Sequence, residues 1–223
     1  MMCGPCCPEY ALRVTTLRGQ RIAVLPLGSV EWHCSAPLGV DSVIAVEMAT
    51  RLCRELNEVC GGAVLLPPLY YGASSEWSGY EELSIRRSTV ARIVEELAAS
   101  LERLGFNTLV LVNAHGGNSA SLRYAVERLV YEKGTRLRVY IVEWWRLLGL
   151  HVGHMDVVEA GLASELMGLE EPPVCECKGL GNPYEGDVEC RRVKASVEKG
   201  LAEKLWGMLK KVAGTICEGK RMD

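Results

Sequence analysis

The chain has 223 residues, 48% hydrophobic and 24% charged, the make-up of a globular protein that buries a core of its own rather than a fibre or a disordered tail. A formal net charge of −3 and a pI near 5.9 exclude the basic excess of a nucleic-acid binder. No apolar run reaches the roughly 18 residues of a bilayer crossing, and the opening MMCGPCCPEYALR lacks the basic and apolar regions of a secretory leader, so a cytoplasmic location is expected.

Strand and helix patterns alternate along the chain. Residues 21–28 (RIAVLPLG) read as a buried strand and 41–59 as a helix, with Asp41 or Ser42 as its N-cap and Ile44, Met48, Leu52 and Leu56 at i+4 spacing. Residues 63–66 form a short strand stopped by Pro67-Pro68. Residues 87–104 carry one apolar stripe (Val90, Ile93, Val94, Leu97, Leu101, Leu104) and end at Gly105. The run NTLVLVN, 107–113, is apolar throughout, as expected for the centre of a parallel sheet. After Gly116-Gly117 a helix is expected over 118–132, a strand over 137–143, and helices over 155–169 and 196–216; residues 170–193, rich in Pro, Gly and Cys, read as an irregular surface segment. This order predicts an α/β fold with a mostly parallel sheet in a single domain spanning 1–223. The small basic clusters Arg86-Arg87 and Lys210-Lys211 read as solvated helix faces.

Ten cysteines stand against one glutamine, Gln20, and few asparagines. Depletion of heat-labile amides is a thermophile signature, and intracellular proteins of hyperthermophiles do form disulfides. Paired bridges, plain buried thiols, and a structural zinc site of Cys3, Cys6 and Cys7 with Cys175, Cys177 and Cys190 all remain open.

Three clusters carry chemistry. Glu31 and His33 leave the first strand at i and i+2, so in an extended segment they point the same way, and Asp41 begins the next helix, from which a short loop can return its carboxylate. His115 follows the central strand and precedes two glycines that permit close backbone approach or positive φ. His154 and Glu159 stand at the start of a later helix. Each cluster alone also reads blandly, as a helix cap, a turn histidine or an acidic helix start. Together they supply three negative charges and two neutral imidazoles, which with a bridging hydroxide balance two divalent cations. Glu143, at the end of a strand, competes with Glu159 or supports it from behind. Trp144 and Trp145 read as core residues or as a pocket wall, and His151 as structural.

The stretch LPLGSVEWH followed by PLGVD, then NAHGGN, then GHMDVVEAG, resembles the three ordered motifs of the creatininase family. The run YYGASSEWSGYEELSI and the segment GDVECRRVKASVEKG resemble two further stretches of it, so the likeness covers about residues 21–200. The resemblance implies a three-layer α/β/α fold, two divalent metal ions (zinc, manganese or iron), a small-molecule amide substrate and a homo-oligomer, often a hexamer. By motif, Glu31, Asp41 and His115 resemble the ligands of one metal and His33, Asp41 and Glu159 those of the other, with Asp41 bridging; His154 resembles the proton-shuttle histidine. Such an enzyme cleaves an amide, cyclic amide or formamide C–N bond through a metal-bridging hydroxide. The family's second histidine after the first is absent from His33-Cys34-Ser35-Ala36-Pro37-Leu38. Glu81-Glu82 and Trp77 replace a Gly-Thr and a histidine, so a substrate other than creatinine is expected. Alternatives are deformylation of a formylated pyrimidine nucleotide on the way to a flavin-type cofactor, and a non-catalytic, metal-stabilised oligomer.

Overall fold

A computed structural model describes residues 4–77, 79–151, 153–178 and 189–222. Four parallel strands form the central sheet: β1 (Ile22–Leu27), β2 (Ala63–Leu65), β3 (Thr108–Asn113) and β4 (Arg138–Glu143), in the order β2-β1-β3-β4. Alternation along the strands sends side chains to two cores. Ile22, Val24, Val110, Val112, Tyr140 and Val142 face one core, while Ala23, Leu25, Leu27, Leu109 and Leu111 face the other. Burial on both faces explains why β1 and β3 read as unbroken apolar runs.

The first core is closed by α2 (Val40–Val59), α6 (Val157–Met167) and α7 (Leu201–Cys217), the second by α3 (Arg87–Arg103) and α4 (Ser119–Glu127). The result is a three-layer α/β/α fold. Trp144 and Trp145, on the short α5 (Trp144–Leu147), are buried in the first core. The first helix, α1 (Tyr10–Arg13), is a single turn. Among the described residues no helix is long and apolar enough to cross a membrane.

Four expectations need correction. Asp41 does not cap α2: Gly39 holds the cap position, and the Asp41 carboxylate turns away to Ser29 and two histidines. Ser42 does not cap it either, because its hydroxyl donates to the Ser29 carbonyl. The helix expected over 118–132 is α only to Glu127 and relaxes into a π turn over Arg128–Glu132. The segment expected to be irregular contains an antiparallel hairpin, β5 (Cys175–Lys178) and β6 (Glu189–Arg192), cross-linked by Cys177–Cys190; residues 179–188 lie outside the described residues.

The cysteines settle as bridges rather than a zinc site. Cys6 pairs with Cys53, Cys34 with Cys175, and Cys60 with Cys217, Cys7 is also disulfide-bonded, and no described cysteine is free. Cys3 lies outside the described residues.

Strand order decides where a site can form. The connection leaving β1 runs to α2 on one face, and that leaving β3 runs to α4 on the other. Neighbouring strands whose connections diverge leave a crevice beyond their carboxyl ends, where α/β sheets bind ligands. Leu27 and Asn113 end these two strands in register.

Candidate metal centre

The crevice is filled by the charged residues singled out above. Glu31, His33, Asp41, His115, His154 and Glu159 are all buried, none more than 7% exposed. Their side-chain atoms fall into three groups, each with all donor atoms within 4.8 Å of one another: Glu31, Asp41 and His115; His33, Asp41 and Glu159; and Glu31, His33 and His154. The first two groups share Asp41.

Asp41 divides its oxygens between the two sides. Oδ1 lies 3.3 Å from His33 Nε2, and Oδ2 lies 3.0 Å from His115 Nδ1. The Ser29 hydroxyl donates to Oδ2 at 2.9 Å and fixes the carboxylate plane. Backbone contacts set the histidine orientations: His33 Nδ1 is 2.8 Å from the Glu31 carbonyl and His115 Nε2 is 3.0 Å from the Ala73 carbonyl. Each of these nitrogens donates its N–H, so His33 Nε2 and His115 Nδ1, which face Asp41, are the nitrogens that could bind a metal once deprotonated.

Glu31 Oε1 accepts from Trp77 Nε1 at 3.0 Å, while Oε2 is buried without a hydrogen bond. Glu159 is held at the start of α6: the Asp156 carboxylate caps that helix, and the Met155 amide donates to Glu159 Oε2 at 2.5 Å. Met155 reaches this position with φ of 46°. His154 packs against Trp77 and His33, with ring centroids 4.0 and 4.7 Å apart, and its Nε2 is buried without a partner.

Loops from three strands are tied together behind the site. Asn118 accepts from the Ala73 amide and donates to the Gly28 carbonyl, each at 3.0 Å. Asn113 donates to the His115 carbonyl and to Glu143 Oε1. Glu143 takes part in none of the three groups; its carboxylate meets Ser119, Asn113 and Arg146. A side chain at Gly117 would run into the Ala73 carbonyl and the His115 ring. Close approach, rather than positive φ, is what that glycine provides. His151 is exposed and stands apart from the cluster.

Charge crowding shifts the titration of every member. Burial pushes both imidazoles down, but carboxylates outweigh it: Asp41 chiefly for His33, raised to about 9, and Glu31 with Asp41 for His115, raised to about 10. Burial also pushes Asp41 up, yet His33 and His115 hold it well below the usual carboxylate range. Burial, then the Asp41 charge, lifts Glu159 to about 8, and burial lifts Glu31. His154 is depressed to about 3 by burial and by the neighbouring His33 charge.

The sequence marked Trp77 as a substituted position but not the aromatic group it joins. Trp32, Trp77 and Tyr80 form one aromatic group, with Trp32 and Tyr80 centroids 4.6 Å apart and Trp32 and Trp77 centroids 5.7 Å apart. Trp32 stands between Glu31 and His33, so an alternating segment had already implied a side chain directed away from them. Ser29, Asn113 and Asn118 gave no comparable signal, because their partners come from distant loops.

The family model described as "Creatininase: Creatinine amidohydrolase" matches residues 11–165. Two curated relatives are mycofactocin precursor peptide peptidases. The one from Mycobacterium ulcerans is 37% identical over 48% of this chain and 44% of its own length; the one from Mycolicibacterium smegmatis is 33% identical over 50% and 46%. These matches therefore span less than half the length of the curated relatives. Among solved structures, a creatininase described as the Mn form superposes with a TM-score of 0.68 at 21% identity over 96% of both chains. A Zn–Zn creatininase mutant gives 0.67 at 21%, over 96% of this chain and 95% of that one. A putative creatinine amidohydrolase from Bacteroides fragilis gives 0.66 at 21%, over 97% and 95%. At that identity the structures establish a shared fold.

Proposed function

This chain belongs to the creatininase family of hydrolases, and we propose that it cleaves an amide or formamide C–N bond at a centre of two divalent ions. Glu31, Asp41 and His115 would hold one ion and His33, Asp41 and Glu159 the other. The observation that carries this reading is the pair of overlapping ligand groups sharing Asp41, each of whose oxygens faces a different histidine.

The donor set fits such ions. Carboxylate oxygens and imidazole nitrogens suit zinc, manganese and iron alike. Glu31 Oε2 is buried without a hydrogen bond and faces His115 Nε2 at 3.3 Å, and a cation would give that oxygen a direct partner. When bound, paired ions of this kind lower the pKa of water and polarise a carbonyl oxygen.

The chain's own residues supply the rest. His154 Nε2 is buried without a hydrogen-bond partner, which leaves it as the group to take up the proton that the attacking water releases. Passing that proton to the departing nitrogen turns a poor amide leaving group into a neutral amine. Packing against Trp77 fixes the ring, and Trp32 and Tyr80 extend this aromatic group beside it.

A second reading, removal of residues from a small peptide, is favoured by the curated peptidases of the same family. The test is hydrolysis of a panel of formamides, cyclic amides and short peptides by metal-stripped protein reloaded with zinc, manganese or iron. Turnover that returns with metal and is absent from Asp41→Asn is expected. Loaded protein inert to the whole panel would support a metal-stabilised, non-catalytic role instead.

A further inference from the structure

One disulfide connects the surroundings of two residues in a single ligand group, His33 and Glu159. Cys34 follows His33 directly, in a tight turn where the Ala36 amide donates to the His33 carbonyl at 2.9 Å. Its φ is 58°, a conformation that an L residue seldom adopts without support. Its partner, Cys175, opens β5, and the Cys175 amide donates to the Met155 carbonyl at 2.7 Å. Met155 is the second described non-glycine residue at positive φ, and its own amide holds Glu159 Oε2. The strand that carries Cys175 is locked in turn by Cys177–Cys190, so the anchor is a closed hairpin.

A continuous path therefore runs from His33 through Cys34, Cys175 and Met155 to Glu159. Its two ends belong to one ligand group, His33, Asp41 and Glu159. These ends lie far apart in sequence, on the loop after β1 and at the start of α6, and this path joins them. We propose that the Cys34–Cys175 bond is a positioning element of the candidate metal centre, setting the separation of His33 and Glu159 and hence the occupancy of their ion. The inference rests on the two-metal reading above. It assigns the bond a task distinct from general stabilisation.

Cys60–Cys217 provides the control. It closes a span of 157 residues against 141 for Cys34–Cys175, so its effect on the unfolded chain is comparable. It joins the ends of α2 and α7, Cys60 lying at the opposite end of α2 from Asp41.

The experiment counts bound zinc by titration and elemental analysis in four proteins: the parent, Cys34→Ala/Cys175→Ala, Cys34→Ala/Cys175→Val, which restores apolar volume on the strand, and Cys60→Ala/Cys217→Ala. Circular dichroism and melting report folding. Two ions are expected in the parent and the control. In both Cys34/Cys175 variants, one ion is expected to bind about 10–100-fold more weakly, the range for loss of a group that orients a ligand, and excess zinc is expected to refill the site. Unchanged affinity in folded Cys34/Cys175 variants overturns the proposal, as does an equal loss in the control. If both variants fail to fold while the control folds, the bond serves the fold and the proposal is again overturned. Fewer than two ions in the parent would remove the two-metal reading itself, and this inference with it.

Discussion

The Trp77 indole donates a 3.0 Å hydrogen bond to Glu31 Oε1. It thereby commits one oxygen of that carboxylate and leaves the other, Oε2, buried without a hydrogen bond, 3.3 Å from His115 Nε2. Trp77→Phe keeps the packing against His154 but removes the donor. The expected result is zinc binding weakened by about 10-fold or more, as for other contacts that orient a ligand, with little change in melting temperature of the metal-free protein. Calorimetric titration of both proteins checks this.

Asp41 is the residue on which both ligand groups depend. Asp41→Asn keeps the shape and removes the charge. Both ions should be weakened, by about 100-fold or more, beyond what loss of a supporting contact costs. Glu143→Gln, which alters a carboxylate bound to Ser119, Asn113 and Arg146, should leave the ion count at two. Elemental analysis of the two variants side by side reads the difference.

Replacing His154 separates chemistry from metal binding. His154→Gln is expected to keep both ions and lower kcat roughly 100- to 10,000-fold, the usual contribution of a positioned acid–base group. A fall in metal content that matches the fall in kcat would move His154 from proton transfer to ion binding.

Metal uptake should depend on pH with a definite sign. In the metal-free chain His33 and His115 are raised to about 9 and about 10, and Glu159 to about 8. Below those values each group carries a proton that an ion must displace. Apparent affinity therefore rises with pH across neutrality, by about tenfold per unit for each proton released, and levels off toward about pH 10. Zinc titrations in buffers of different ionisation enthalpy count the protons. A flat affinity between about pH 6 and 8 would contradict the shifts.

The sequence exposes this protein unevenly. β1 and β3 are legible because strands buried on both faces must be apolar throughout. The clusters at Glu31, His115 and Glu159 are legible together rather than singly: each alone also reads as a cap, a turn or an acidic helix start, but their combined charges and imidazoles match two divalent ions. The β5–β6 hairpin was hidden because CECK and ECRR are short and polar, and are joined by a disulfide rather than by an apolar pattern. Cysteine pairing across 141 or 157 residues leaves no trace in spacing. Asp41 misled in one respect: an acid at a helix start ordinarily caps it, and here the carboxylate is drawn into the crevice instead. The aromatic group of Trp32, Trp77 and Tyr80 exists only because loops after β1 and β2 meet over His154.

The most direct test is a crystal structure of protein loaded with zinc or manganese, with ions located by anomalous scattering. Two peaks per chain are predicted, roughly 3.5–4 Å apart, one contacting Glu31, Asp41 and His115, the other His33, Asp41 and Glu159, with Asp41 touching both. A single peak, or an ion held by Glu143 without Asp41, would contradict the account.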